Sequence, residues 1–317
     1  GLEKPFEGQS SGPRDNARRR GVRFDGWTAL ALAIAAVVSV PILVVLASVF
    51  VPTTEVWGHL LQTVLGRYIT NTLWMLVGVT ILTLVMGAGT AWLVSMCAFP
   101  GRRAFEWALL LPLAIPAYAI AFTYGGMMDF AGPVQTALRD WFGLGVGDYW
   151  FPDVRSLGGV ILLMGLVLYP YVYLLARTAF LEQSVCVLEV GRTLGQGPWR
   201  TFHRIALPLA RPAIAAGIAL ALMEALSEFG AVQYFAVDTF TTGIFRTWYG
   251  LGDLAAAAQL AAILMLFIFV LLAIERISRG RAAYYHTTTK YRPLPRYRLA
   301  GWAKFGAIAA CAIPIFL

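Results

Sequence analysis

Two carboxylates, Glu224 and Glu228, lie inside the apolar run ALALMEALSEFGAVQYF. Four residues apart, they would share one face of a helix. An ionised carboxylate near the bilayer centre costs about 2.5–3.5 kcal/mol, so the pair needs water, a shared proton or a cation. Two readings stay open. The pair lines a solute path, with Tyr234 as a further candidate, or it is matched structurally by Tyr, Arg or backbone groups.

The other chemically distinctive stretch is polar. Leu188 to Pro212 reads LEVGRTLGQGPWRTFHRIALPLARP and interrupts two apolar runs. Its first part supports a short helix from Leu181 to Leu194, stopped at Gly195. Gly197-Pro198 restarts the chain, with Pro198 suited to a first helical position. The next turns put Trp199, Phe202, Ile205 and Ala206 on one face and Arg200, His203 and Arg204 elsewhere, with Pro208 ending the element. Such an amphipathic helix either rests its apolar face in another protein's groove or lies on lipid.

Other chemistry is thin. Cys97, Cys186 and Cys311 show no pairing pattern, and His59, His203 and His286 are isolated, which argues against a zinc or redox site. No G-x-x-x-x-G-K-[ST] loop occurs, and no nucleophile–base constellation supports an enzyme. No cofactor is expected on this chain. The alternative in another class is a proton-coupled secondary transporter using Glu224 and Glu228 as a relay.

The elements that must position these residues follow from composition. The chain is 59% hydrophobic and 13% charged with a mean hydropathy of +0.69, more apolar than a soluble core requires. An all-α integral membrane protein, a polytopic helical bundle, is expected. Residues 1–25 form an Arg-rich tail expected to be disordered. Six apolar segments follow near Trp27–Val51, Tyr68–Cys97, Phe105–Met128, Leu157–Phe180, Ala213–Val237 and Leu254–Ile277. Pro112 and Pro116 should kink the third. In the fifth, Ala213, Gly217, Ala221 and Ala225 recur every four residues as a face for close helix contact. Residues 26–278 thus make one six-span unit, 279–298 a basic linker, and 299–317 the start of a seventh span; the chain reads as a fragment open at both ends.

The net charge of +8 is a matter of membrane orientation, not of nucleic acid. With the tail inside, 21 of the 25 Lys and Arg residues fall on that face. Arg67, Arg139, Arg155 and Arg246 remain outside. The bias predicts a cytoplasmic N-terminus and a cytoplasmic 181–211 loop.

The spacing Glu189, Gly195, Ile205, Leu207 and Pro208 resembles the EAA signature of permease subunits of binding-protein-dependent ABC importers. Val190 and Gly191 stand where the two alanines of that signature fall. The resemblance implies the type I ABC importer permease class, in a bacterial inner membrane. The coupling residues would be Glu189, Gly191, Gly195, Trp199, Phe202, Ile205, Leu207 and Pro208, docked on a separate ATPase subunit that holds ATP and Mg. The run SEFGAVQYFAVDTFTTGIF is similar to the ferric-iron branch, whose members fuse two such halves. The implied partners are the ATPase subunits, a periplasmic substrate-binding protein, membrane lipid and a second permease half. Thiamine, polyamines and oxyanions are the alternative cargoes.

Overall fold

The structure, a computed structural model, describes residues 26–145, 147–182, 197–279 and 296–317. The chain divides after Ala47 into two compact units. Within the first, the described residues belong to one apolar helix, α1 (Gly26–Ser48), which contains Pro41.

In the second unit a short α2 (Thr54–Thr63) precedes α3 (Leu65–Met96). The hydroxyls of Thr80, Thr83 and Thr90 in α3 donate to the carbonyls of Leu76, Val79 and Met86, so these three polar hydrogens are satisfied within the helix. A wide π-turn at Leu84–Ala88 interrupts α3 and carries Gly87. The third span is broken into α4 (Arg102–Ala114) and α5 (Ala117–Met128), and the helical path bends there by 91°. Pro112 lies in the final 3-10 turn of α4 and Pro116 caps α5. The kink expected from these prolines is a full break.

A short helix α6 (Pro133–Phe142) leads to α7 (Leu157–Glu182), the most enclosed of the five long apolar helices. The helix α8 (Trp199–Ser227) follows. Then come α9 (Gly230–Tyr234), α10 (Phe240–Phe245), α11 (Leu254–Arg279) and α12 (Trp302–Phe316). Two two-residue strands, β1 (Cys97–Ala98) and β2 (Tyr297–Arg298), pair in parallel, Cys97 opposite Tyr297 and Ala98 opposite Arg298. The described part is helical as expected; this bridge was not foreseen.

Contacts give the helix directions. A Cβ on Gly78 would meet Ile161, one on Gly165 would meet Leu82, and one on Gly87 would meet Tyr169 and Val172. Residue numbers rise together, so α3 and α7 run parallel. Phe202 packs on Phe180 while Gly217 packs on Val172, so α8 runs antiparallel to both. One end of the bundle therefore gathers the starts of α3 and α7 with the end of α8. The other gathers Met96, Glu182 and Trp199.

Two expectations need correction. Pro208 does not end a short helix, and the fifth span does not begin near Ala213. A π-turn at Phe202–Ala206 passes directly into the α-helical part of α8, with the Leu207 N–H donating to the Phe202 carbonyl. The widened turn moves the preceding carbonyls away from the Pro208 ring and removes the clash that normally stops a helix. At its far end α8 stops at Ser227 instead of continuing to Val237.

The small residues of α8 do bring it close to α7. Gly217, Ala221 and Ala225 are buried, and a Cβ on Gly217 would lie 2.8 Å from Val172 Cα and 3.1 Å from the Tyr171 carbonyl oxygen. At Gly87 it would lie 2.7 Å from Val172 Cβ and 2.8 Å from the Tyr169 carbonyl oxygen. Backbone cannot yield as a flexible side chain can. Gly87→Ala and Gly217→Ala should therefore each lower stability by about 1–3 kcal/mol in unfolding titrations in detergent. Gly126→Ala, where a Cβ meets open space, should change it by less than about 0.5 kcal/mol.

Candidate functional site

The end that gathers Met96, Glu182 and Trp199 is built around Trp92 of α3. Its ring centroid lies 5.6 Å from Phe180 of α7, 5.2 Å from Phe202 of α8 and 6.4 Å from Tyr297. Thr201 is fully buried, donates to the Gly197 carbonyl at 3.1 Å and accepts from the Tyr297 hydroxyl at 3.2 Å. One aromatic cluster thus ties the start of α8 to α3, to α7 and to the segment that precedes α12.

Glu189, Gly191 and Gly195 lie outside the described residues. The rest of the proposed coupling set divides. Trp199 is 63% exposed, whereas Phe202 is 7% exposed and Ala206 is fully buried; Ile205, Leu207 and Pro208 are half-buried. The single apolar docking face expected from Trp199, Phe202, Ile205 and Ala206 is therefore corrected. Phe202 and Ala206 turn inward onto Trp92 and Phe180, because a large apolar side chain gains more in a close-packed aromatic cluster than at an open surface. What α8 exposes here is Trp199 with Arg200, His203 and Arg204. The sequence reading had set those three polar residues aside, although their i, i+3 and i+4 spacing marks one helical face.

Glu224 and Glu228 do not share a helical face, which is a second correction. Glu224 is exposed on the last turns of α8. Glu228 follows the helix end with extended backbone, φ −70 and ψ 123. Its Oε1 accepts the Ala231 N–H at 2.8 Å, and its carbonyl oxygen accepts the Thr241 hydroxyl at 3.0 Å. Phe229-Gly230 supplies the reason: the close seat of Gly230 on Tyr118, 3.0 Å from an added Cβ, lets a new helix start there with Glu228 covering its free amides. Tyr234 sits in a packed site. Its ring lies 5.6 Å from Phe122, the Arg155 guanidinium stands 5.4 Å over it, and a Cβ on Gly125 would run into it.

The opposite end, where α3 and α7 start, is laced by polar contacts. Asp238 pairs with Arg67 at 3.2 Å and with Arg246. Arg155 pairs with Asp129 at 3.2 Å beside a cavity of about 360 Å³ that Gln135 and Tyr149 also line. All four arginines assigned outside belong to this end. Among the described residues no group of three His, Cys, Asp or Glu side chains could hold a metal ion.

Residues 84–283 match the family described as "Binding-protein-dependent transport system inner membrane component", and the chain belongs to that family. It is 31% identical over 210 residues to the molybdenum transport system permease protein ModB of Escherichia coli K12, covering 63% of this chain and 89% of that one. It is 30% identical over 223 residues to the Fe(3+)-transport system permease protein FbpB 2 of Haemophilus influenzae, covering 70% of this chain and 40% of that one. The fold matches a bacterial ABC transporter that imports the acidic polysaccharide alginate, with TM-score 0.63 and 16% identity over 81% of this chain and 96% of that one. The EAA-like spacing pointed to the right family, in which the ferric-iron branch is one of several.

Phe202→Ala should remove the centre of the aromatic cluster and cost about 3–5 kcal/mol in detergent unfolding. Trp199→Ala, at an exposed position, should leave stability within about 0.5 kcal/mol of the parent.

Proposed function

We propose that this chain is the inner-membrane subunit that carries ferric iron inward in an ATP-driven importer, worked from its Trp199 end by a separate ATPase. The observation that carries this reading is the continuity of α8. One helix of 29 residues, about 43 Å long at 1.5 Å per residue, joins the exposed Trp199–Arg204 face to the exposed Glu224. Its start is fixed in the Trp92 cluster and its middle is pressed against α7. A displacement imposed at Trp199 must therefore move Glu224.

The arginine bias supports a cytoplasmic Trp199 end and a cytoplasmic N-terminus. As in the resembled family, Glu189, Gly191 and Gly195 would complete the knob that the ATPase grips, while Ile205, Leu207 and Pro208 continue it into the membrane. ATP and Mg belong to the ATPase subunit. A periplasmic binding protein would deliver cargo to the outer end, and a second permease half would face Glu224 across the path. ATP-driven closure of the ATPase then shifts the population from the inward- to the outward-facing state.

For the cargo, the exposed Glu224 carboxylate, set between exposed Leu220 and Ser227 with no basic side chain beside it on that stretch of α8, favours a hard cation over an anion. The coverage of the molybdenum permease supports a second reading, an oxyanion cargo.

The test is reconstitution of the complete importer in liposomes, followed by uptake of radiolabelled ferric iron and molybdate. ATP-dependent iron accumulation is expected, reduced by Glu224→Gln with ATPase activity retained. Molybdate uptake without iron uptake would make the cargo an oxyanion. Uptake driven by a proton gradient without the ATPase would remove the importer reading. Trp199→Ala should weaken ATPase binding about thirtyfold, as loss of an aromatic anchor does, and Gly195→Trp should abolish uptake.

A further inference from the structure

Around Glu106, near the bend of the third span, positive charge outnumbers negative. Arg102 pairs with Glu106 at 2.6 Å and also donates to the Val94 carbonyl at 2.8 Å. Arg177 reaches the same carboxylate oxygen at 3.8 Å, with its Nε buried and unpartnered. One carboxylate thus serves two arginines. Arg103 and Arg296, both exposed, form no ion pair among the described residues. Partial desolvation, and then the neighbouring Arg102 charge, hold the Arg296 guanidinium below the ordinary arginine range. Arg103 adds to this and Glu106 offsets it. Four arginines therefore crowd one acid.

The helices beside this cluster present an apolar surface. α12 packs on α4 and on the C-terminal end of α3. Ala307, Cys311 and Pro314 form the buried side of α12, leaving Phe305 and Ile313 exposed at 56% and 55%. On α4, Trp107 is 76% exposed one turn beyond Arg103, and Leu111 is exposed below it. Trp302 stands 89% exposed at the start of α12, beside Lys304. Guanidinium groups without an ion pair among the described residues, with exposed indoles and aliphatic side chains on the two helices that follow them, match a phosphate, an ester region and acyl chains.

We propose that the seam between α4 and α12 is a binding site for an anionic phospholipid, with Arg103 and Arg296 on the headgroup phosphate and Trp107 and Trp302 at the ester level. Arg102 and Arg177 are committed to Glu106 and position the cluster instead of holding the lipid. The site joins the third span to the end of the linker and α12, so a bound lipid would brace two parts of the chain that the short β1–β2 bridge also connects.

Native mass spectrometry of the delipidated full-length permease, titrated with phosphatidylglycerol or phosphatidylcholine, tests the site. Preferential retention of phosphatidylglycerol is expected. The double substitution Arg103→Gln/Arg296→Gln should lower that affinity about 25-fold, at roughly fivefold per basic side chain. Arg103→Lys/Arg296→Lys keeps the charge and should retain the preference, which separates lost binding from lost folding. Equal binding of the two lipids, or full phosphatidylglycerol affinity in the Gln variant, would overturn the proposal. Displacement of the lipid by millimolar inorganic phosphate would reassign the patch to a soluble anion. Loss of ATPase binding with lipid preference intact would reassign it to a protein contact.

Discussion

The close approach of three helices at Val172 is the constraint on which the bundle depends. Gly87 from α3 and Gly217 from α8 both bring backbone against this one residue of α7. In a bilayer there is no hydrophobic gain from helix association, since lipid tails are as apolar as the side chains. What remains is dispersion, which falls steeply with distance, so helices hold together where small residues allow near contact. One turn before Val172 and immediately after it, α7 also supplies polar ties. Tyr169 donates to the Leu109 carbonyl at 2.9 Å and Tyr173 to the Glu106 carbonyl at 3.1 Å. These carbonyls lie at the broken end of α4, where the proline-interrupted backbone cannot satisfy its own acceptors. α7 thus lets the third span bend sharply without leaving polar groups bare in an apolar surround.

The lever role proposed for α8 rests on that arrangement. Its start is seated among Trp92, Phe180 and Tyr297, and its middle leans on α7 through glycine and alanine. The π-turn at Phe202–Ala206 lies where the seated segment meets the span. A π-turn has wider and poorer hydrogen bonding than the α-helix around it, so strain imposed at Trp199 meets its softest backbone there. Phe202, on the inner side of that turn, limits how far it can open. A displacement that does not pull Phe202 from its cluster must carry α3 and α7 along or tilt α8 as a body.

Much of this was legible in the residues. Hydropathy located the long helices, charge separated the two ends, the four-residue spacing of small residues marked the α7 contact, and Pro112 with Pro116 marked the break. The misreadings share a cause. In a soluble protein an apolar side chain at helical spacing points inward, but in a membrane protein the same side chain fits lipid, a neighbouring helix or a partner subunit. Composition therefore could not tell that Phe202 faces in and Trp199 faces out. Pro208 was read by its usual effect on an α-helix, while the π-turn that accommodates it has no strong local signature. The Tyr297 contact joins residues 96 positions apart, and no local pattern announces it.

Glu224 and Glu228 show how identical chemistry in sequence separates in space. Continuing the helix through Glu228 would have placed two like charges one turn apart in an apolar run, each repelling the other as well as paying for its own desolvation. Ending α8 at Ser227 removes that conflict. Glu228 leaves the helical row and spends its carboxylate on the Ala231 amide, a group that needs an acceptor in any case. Its cost is then offset by a structural gain, and no further role is needed to explain it. Glu224 receives no such compensation: it is exposed on the side of a helix that is complete without it. The path placed along the Glu224 side of α8 under the proposed function rests on that contrast: among the described residues one carboxylate is taken up by the fold and the other is left at the surface.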